Sequence, residues 1–294
     1  MKWFWWIFLI LILLPIASLF LIKLSGSMKM RIPDDQIMGA LHAYPIIKQL
    51  DTLIIRNREI AYLHTAKNEA KKKDAIIFLH GSPGSLDVYL KYMHSDTLLS
   101  RADLIAYDRP GFGHSGFGNS MPSLRQQSFV LFDLMKHLDY ERYWLIGHSY
   151  GAAVIIQAAI DKPDRIAGIG IIAGSVVYEM NSGSGWRSWM SLPFIQELLP
   201  DALRVSNEEL IALKIDLRMT DDDWSQITMP VSLINGKKDI LVPFQDKEKA
   251  LEKLTNADTV LTLTLPEENY YLLSSQADQI LEEIVKLMEM KDEI

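Results

Sequence analysis

Residues 143–153 read Tyr-Trp-Leu-Ile-Gly-His-Ser-Tyr-Gly-Ala-Ala, and this stretch decides the fold. Tyr143 to Ile146 is a short apolar run, the pattern of a strand buried on both faces. From Tyr150 a helix is expected, ending at Lys162-Pro163. Between them, Gly147-His148-Ser149-Tyr150-Gly151 must turn from strand to helix in very few residues. Glycine two positions either side of Ser149 lets neighbouring backbone pass without a Cβ clash. Such a turn thrusts the Ser149 hydroxyl out at the strand's C-terminal end, under the positive end of a helix. Ala152 and Ala153 then allow the helix to pack close to the sheet. The bare pattern G-x-S-x-G is weak; the strand before it and the helix after it give it meaning.

Working outward, further apolar strands are expected at 75–79, 102–107, 166–172, 231–234 and 259–265. Helical patterns lie between or after them, at 87–99, 123–138, 150–161, 244–254 and 276–290. Apolar strands alternating with helices argue for an α/β fold: a mostly parallel central sheet covered by helices on both faces. Ahead of this series, residues 52–56 and 59–66 read as a hairpin around Asn57-Arg58. Pro33-Asp34-Asp35 reads as a helix start, with the helix running toward Leu50. Residues 176–228 break the alternation, being far longer than an ordinary connection. This stretch holds Trp186, Trp189, Met190, Leu192, Phe194 and Ile195. It reads as a short helical cap whose apolar underside lines a substrate pocket, or as an inserted layer that only packs.

The strand ends carry the chemistry. His80-Gly81-Ser82-Pro83-Gly84 follows the strand at 75–79, and a glycine-rich turn there can aim backbone N–H groups at a developing oxyanion. The Tyr150 N–H is the second donor of that kind. Asp108-Arg109-Pro110-Gly111-Phe112-Gly113-His114-Ser115 reads as a rigid structural turn beside the cleft. Asn235-Gly236-Lys237-Lys238-Asp239 follows the strand at 231–234 and offers Asp239 to orient a histidine.

These four pieces, in this order and spacing over about residues 50–290, resemble the α/β-hydrolase superfamily, with the look of its cap-bearing serine esterases, lipases and carbon–carbon-bond hydrolases. The resemblance implies that Ser149 is the nucleophile and Asp239 the triad acid, with Ser82 and Tyr150 supplying the oxyanion-hole N–H groups. A serine at 149 argues against the branches that place an aspartate there. The family order is serine, then acid, then histidine, and here the chain departs. All seven histidines, at 42, 64, 80, 94, 114, 137 and 148, precede Ser149. Tyr270 occupies the expected histidine position in the loop 266–273. A phenol with a pKa near 10 is a poor base at neutral pH. His114 is the best outside candidate for a base, because its turn borders the cleft. His80 is expected to brace the oxyanion turn, and the His148 side chain to point away from that of Ser149. Glu267 and Glu268 are the alternative carboxylate bases.

Composition narrows the rest. The net charge is −7 and no long basic stretch exists, which speaks against nucleic-acid binding. The chain has no cysteine, so disulfides, thiolate metal sites and cysteine nucleophiles are excluded. No metal or organic cofactor is implied. No residue from 3 to 22 is charged. A helix of that length rises about 30 Å, enough to cross a bilayer's hydrocarbon core, and Trp3, Trp5 and Trp6 sit at one end, where indoles favour the headgroup boundary. A cleaved signal peptide, with Ser25-Gly26-Ser27 as its site, is the rival reading and would make the chain secreted or periplasmic. The expected layout is an anchor at 1–27, a connecting helix at 28–50, and a hydrolase domain at 51–294 with its cap at about 176–228. Two readings stand. One is a membrane-tethered serine hydrolase acting on a small apolar or acyl substrate, impaired by the missing histidine. The other is a non-catalytic member that binds an apolar ligand or a protein partner.

Overall fold

The computed structural model describes residues 30–178 and 185–290, with the backbone only at 185–187, together with Trp3, Trp6, Ile7, Leu14, Ala17, Ser18, Leu21 and Lys23. Most of the uncharged stretch at 3–22 lies outside the described residues. Among the described residues no helix is long and apolar enough to cross a membrane.

Helix α1 (Asp34–Leu41) starts after Pro33 but stops well short of Leu50. The expected helix over 28–50 is therefore corrected: residues 47–50 belong to the first strand. Tyr44-Pro45 supplies the reason, since the residue before a proline is pushed out of helical conformation. Strands β1 (Ile47–Ile55) and β2 (Arg58–Ala66) pair antiparallel from Ile47↔Ala66 to Ile55↔Arg58. The hairpin turns on Arg56 and Asn57, at φ 51 and 60, the left-handed pair that a tight two-residue turn requires. Then come β3 (Asp74–Leu79), a short α2 (Asp96–Leu99), β4 (Asp103–Tyr107), α3 (Leu124–Leu138), β5 (Arg142–His148), α4 (Tyr150–Asp161) and β6 (Ile166–Ile172). The expected helix over 87–99 breaks into a 3-10 turn at Leu86–Tyr89 and α2. Ser95 ends the break by capping α2, its side chain accepting from Leu98 N.

The eight strands lie in the order β1-β2-β4-β3-β5-β6-β7-β8, counting β7 (Val231–Gly236) and β8 (Val260–Leu265). Everything from β4 to β8 is parallel, and β2 joins β4 antiparallel. Strands β3 to β7 are almost wholly buried, as the unbroken apolar runs require. One face of the sheet packs on α3 and α4, through Leu131, Leu134, Val154 and Ile155. The other packs on α1, α2 and the C-terminal helix at Ala277–Glu289, through Ile37, Leu98, Ile280 and Leu287.

Between β6 and β7 the chain forms α5 (Gly185–Met190), α6 (Pro193–Gln196) and α7 (Asp201–Met219). Entry to this segment is fixed by Asp246 of α8 (Phe244–Lys253), whose Oδ1 accepts from Val176 N and Val177 N at 3.2 Å. The loop after β8 leads through α9 (Leu272–Ser275) into α10 (Ala277–Glu289).

Candidate functional site

Ser149 stands between β5 and α4 with φ 52 and ψ −117. A non-glycine residue rarely adopts this backbone, and such strain persists where the surroundings over-determine it. Here the surroundings are backbone. A Cβ on Gly147 would come within 2.6 Å of Ala152 N, and one on Gly151 within 2.7 Å of His80 O. Both glycines are thus required by close approach of backbone, as expected for so sharp a turn.

Gly81 presses on the serine from the opposite turn. A Cβ built there would lie 3.1 Å from Ser149 Cβ, 3.2 Å from Tyr270 Oη and 3.3 Å from His148 Nδ1. Ser149, Tyr270 and His148 therefore converge on one point at the C-terminal edge of the parallel strands. Tyr270 is largely buried, and burial raises its pKa; interaction with the Ser149 side chain pulls it down in part, and the charge of Asp239 pushes it up again. Tyr270 is a neutral phenol at pH 7.

Asp239 is buried, and its loop is stitched to the Tyr270 loop: Lys237 N donates to Leu265 O at 3.0 Å and Lys238 N to Glu268 O at 2.9 Å. Its Oδ1 accepts from Leu241 N and Val242 N, both at 2.8 Å. Its Oδ2 is buried and receives no hydrogen bond among the described residues. Burial raises the Asp239 pKa, and the two backbone donors offset this in part. The structure thus brings Ser149, Tyr270 and Asp239 to one place.

The backbone N–H groups of Ser82 and Tyr150 flank the serine. Tyr150 opens α4, so its N–H has no partner within the helix. The N–H of Ser82 meets no acceptor among the described residues.

Of the other candidate bases, His80, His114, Glu267 and Glu268 are engaged elsewhere, while His148 stays at the site with its buried Nε2 unpartnered among the described residues. The ring of His80 is saturated: Nδ1 lies 2.7 Å from Gly81 O, and Nε2 accepts from Arg109 N at 2.9 Å. It braces the turn, as expected. His114 departs from expectation: its Nδ1 lies 3.6 Å from Asp34 Oδ1 on the exposed surface, so its ring faces α1. Glu267 pairs with Lys238, while Glu268 accepts from Ser275 and Gln276. His148 also departs from expectation. Its ring packs on that of Tyr270, with centroids 4.8 Å apart. Burial pushes its pKa down to about 4, against a hydrogen bond to the Tyr270 backbone that raises it.

Sequence reasoning missed Arg109 and Glu209. Arg109, fully buried, donates through Nε to His80 O at 2.8 Å and through Nη2 to Gly81 O at 2.9 Å. Its Nη1 reaches Glu209 Oε1 at 2.7 Å and Gln127 Oε1 at 2.8 Å. Arg109 lay in a stretch read as a structural turn, and Glu209 in a helix one hundred residues away. Nothing in the sequence pairs them.

A family model described as the α/β hydrolase fold matches residues 74–196. The dihydrolipoyllysine-residue acetyltransferase component of the acetoin cleaving system of Pseudomonas putida is 23% identical over 241 residues, covering 72% of this chain and 63% of that relative. Fluoroacetate dehalogenase of a Burkholderia species is 27% identical over 134 residues, 43% of each chain. The chain thus spans less than two thirds of the length of these curated relatives. Among solved structures, a membrane phospholipase A described as a bacterial virulence factor aligns over 100% of both chains, with a TM-score of 0.66 and 16% identity. The enol-lactonase of Burkholderia xenovorans LB400 aligns over 81% of this chain and 100% of its own, with a TM-score of 0.65 and 15% identity. Identities this low speak for the fold alone. Sheet order, elbow and family match agree: the chain has the α/β-hydrolase fold.

Proposed function

We propose that the chain is a serine hydrolase that cleaves an ester-like or other acyl substrate through Ser149, with turnover held low by Tyr270. The observation that carries this reading is the strained elbow. Ser149 is kept at φ 52 beside two backbone N–H groups that meet no acceptor among the described residues, an arrangement with a use in acyl transfer. In this account Ser149 Oγ attacks the carbonyl carbon, and the N–H groups of Ser82 and Tyr150 hold the oxyanion. The Ser149 proton passes to solvent water as the C–O bond forms and returns to the leaving oxygen as the tetrahedral centre collapses, so the alcohol departs neutral; a second water then cleaves the acyl-serine to the acid and restores the Ser149 hydroxyl. Asp239 is the triad acid. Tyr270 replaces the base and, as a neutral phenol, takes no proton from Ser149. The rate that remains comes from orientation and oxyanion stabilisation.

The segment 176–228 is the cap over this cleft and selects a small apolar or acyl substrate. Residues 1–27 tether the domain to a membrane. Ester chemistry is carried over from the names of the structural neighbours, a phospholipase and an enol-lactonase, as part of this proposal.

A second reading is a non-catalytic member that binds an apolar ligand or a partner. The unsatisfied Oδ2 of Asp239 favours it, because the proton relay of a serine triad is interrupted there. Labelling with a fluorophosphonate, followed by peptide mass spectrometry, separates the two. Slow, specific modification of Ser149, absent in Ser149→Ala, supports the hydrolase. A folded protein that stays unlabelled at Ser149 supports the binder.

A further inference from the structure

Arg109 and Glu209 form a fully buried ion pair between the β4 turn and helix α7. The guanidinium is used completely. Two of its five donors go to Glu209, at 2.7 and 3.1 Å, two go to the carbonyls of His80 and Gly81, and the fifth goes to Gln127 Oε1 at 2.8 Å. Gln127 closes the group, its Nε2 donating to Glu209 Oε1 at 2.7 Å. The rings of Tyr150 and Phe112 flank the cation, with centroids 4.6 and 5.1 Å from Cζ.

This geometry reaches the cleft through the peptide plane. In a trans peptide the C=O of Gly81 and the N–H of Ser82 point in opposite directions. Arg109 pulls the carbonyl one way and so fixes the N–H the other way, where it meets no acceptor. His80 reinforces the same turn by linking Gly81 O to Arg109 N. Without Glu209 the guanidinium would be a buried, uncompensated charge, free to re-aim its fork or to draw in water.

We infer that Glu209 is a positioning residue for the oxyanion hole: it locks Arg109 in the orientation that aims Ser82 N–H, so the site is assembled only while α7 is seated. The inference rests on the serine-hydrolase reading, and deepens it by tying a residue of the segment between β6 and β7 to the rate of the chemical step.

The test uses the full chain carrying Tyr270→His, with p-nitrophenyl butyrate as substrate. Glu209→Ala should lower kcat about 100-fold while KM moves less than about threefold, the pattern of a lost transition-state donor. Glu209→Gln, which keeps an oxygen acceptor, should retain several times more activity than Glu209→Ala. Arg109→Lys should resemble Glu209→Ala, because an ammonium cannot span both carbonyls. A loss in KM alone, or full activity per folded molecule, would overturn the inference. Amide exchange at Arg109, whose N–H donates to His80 Nε2 in this turn, provides a readout independent of turnover in the chain with Tyr270 intact. Exchange there should rise at least about tenfold in Glu209→Ala; a turn that stays protected contradicts the positioning role even if no variant hydrolyses the ester. Absence of any Ser149-dependent turnover with the exchange change present would sink the hydrolase reading and leave the Glu209–Arg109 link to the turn standing.

Discussion

The Asp239 carboxylate lies beside Tyr270 and receives no hydrogen bond from it. Two backbone N–H groups hold Oδ1, and Oδ2 is left buried and unmatched. A buried acceptor without a donor costs about 1–3 kcal/mol. Retaining it requires a surrounding scaffold that still has the shape to present that oxygen to a donor. An imidazole at position 270 would supply the N–H; a phenol, whose only polar atom faces Ser149, does not.

The elbow predicts a contrast between two glycines. Gly151→Ala places a methyl group against the backbone carbonyls of Leu79 and His80. It should destabilise the chain by about 3 kcal/mol or prevent folding. Gly39→Ala, inside α1 with nothing within 4 Å, should stabilise by about 0.5–1 kcal/mol. Chemical denaturation of both variants measures the difference, and equal effects would contradict the packing described.

The linker predicts where truncation becomes harmful. Arg31 is buried against Asp108 at 2.7 Å, and Ile32 N donates to Asp87. Removing residues 1–27 spares these contacts and should leave a domain that melts cooperatively. Removing residues 1–34 strands the Asp108 carboxylate, fully buried, at a cost of about 3 kcal/mol. Its melting temperature should fall by roughly 10 °C below that of the shorter truncation. Equal melting temperatures would show that the linker does not hold the domain.

Acid should weaken the fold through His148. Its folded pKa is about 4, below the unfolded value near 6.5. Between these values the unfolded chain binds a proton that the folded one refuses. This contribution to stability is therefore complete above pH 6.5 and shrinks as pH falls toward 4. His80, also depressed by burial, adds with the same sign. Asp108 and Asp239, both raised by burial, act with the opposite sign at lower pH. His148→Asn should remove about 2 kcal/mol of the stability lost between pH 7 and pH 5. Denaturation midpoints at the two pH values test this, and an unchanged pH dependence would rule it out.

The sequence carried the sheet and the elbow because both rest on local signals. Strand β6 is legible as a continuous apolar run, and helix α4 as an apolar, small-residue stretch with a proline stop. Ser149 and Asp239 are legible because each follows an apolar strand in a turn of fixed type. Long-range choices were not legible. Helix α1 looked longer because its apolar residues continue past the Tyr44-Pro45 step that ends it, and pairing with β2 then makes residues 47–55 a strand. The direction of the His114 ring depends on Asp34, eighty residues earlier. The Arg109–Glu209 pair is set by tertiary packing alone, and a lone glutamate in a helix carries no mark of its partner.

The rate of ester hydrolysis after Tyr270→His tests the central claim most directly. The imidazole would accept the Ser149 proton and donate its other N–H to the empty Asp239 Oδ2. The account predicts a gain of about 100-fold or more in kcat/KM on p-nitrophenyl butyrate. That gain should vanish with Ser149→Ala and shrink with Asp239→Asn. A folded Tyr270→His protein with no gain, or an unaltered protein that already turns over robustly through Ser149, would contradict it.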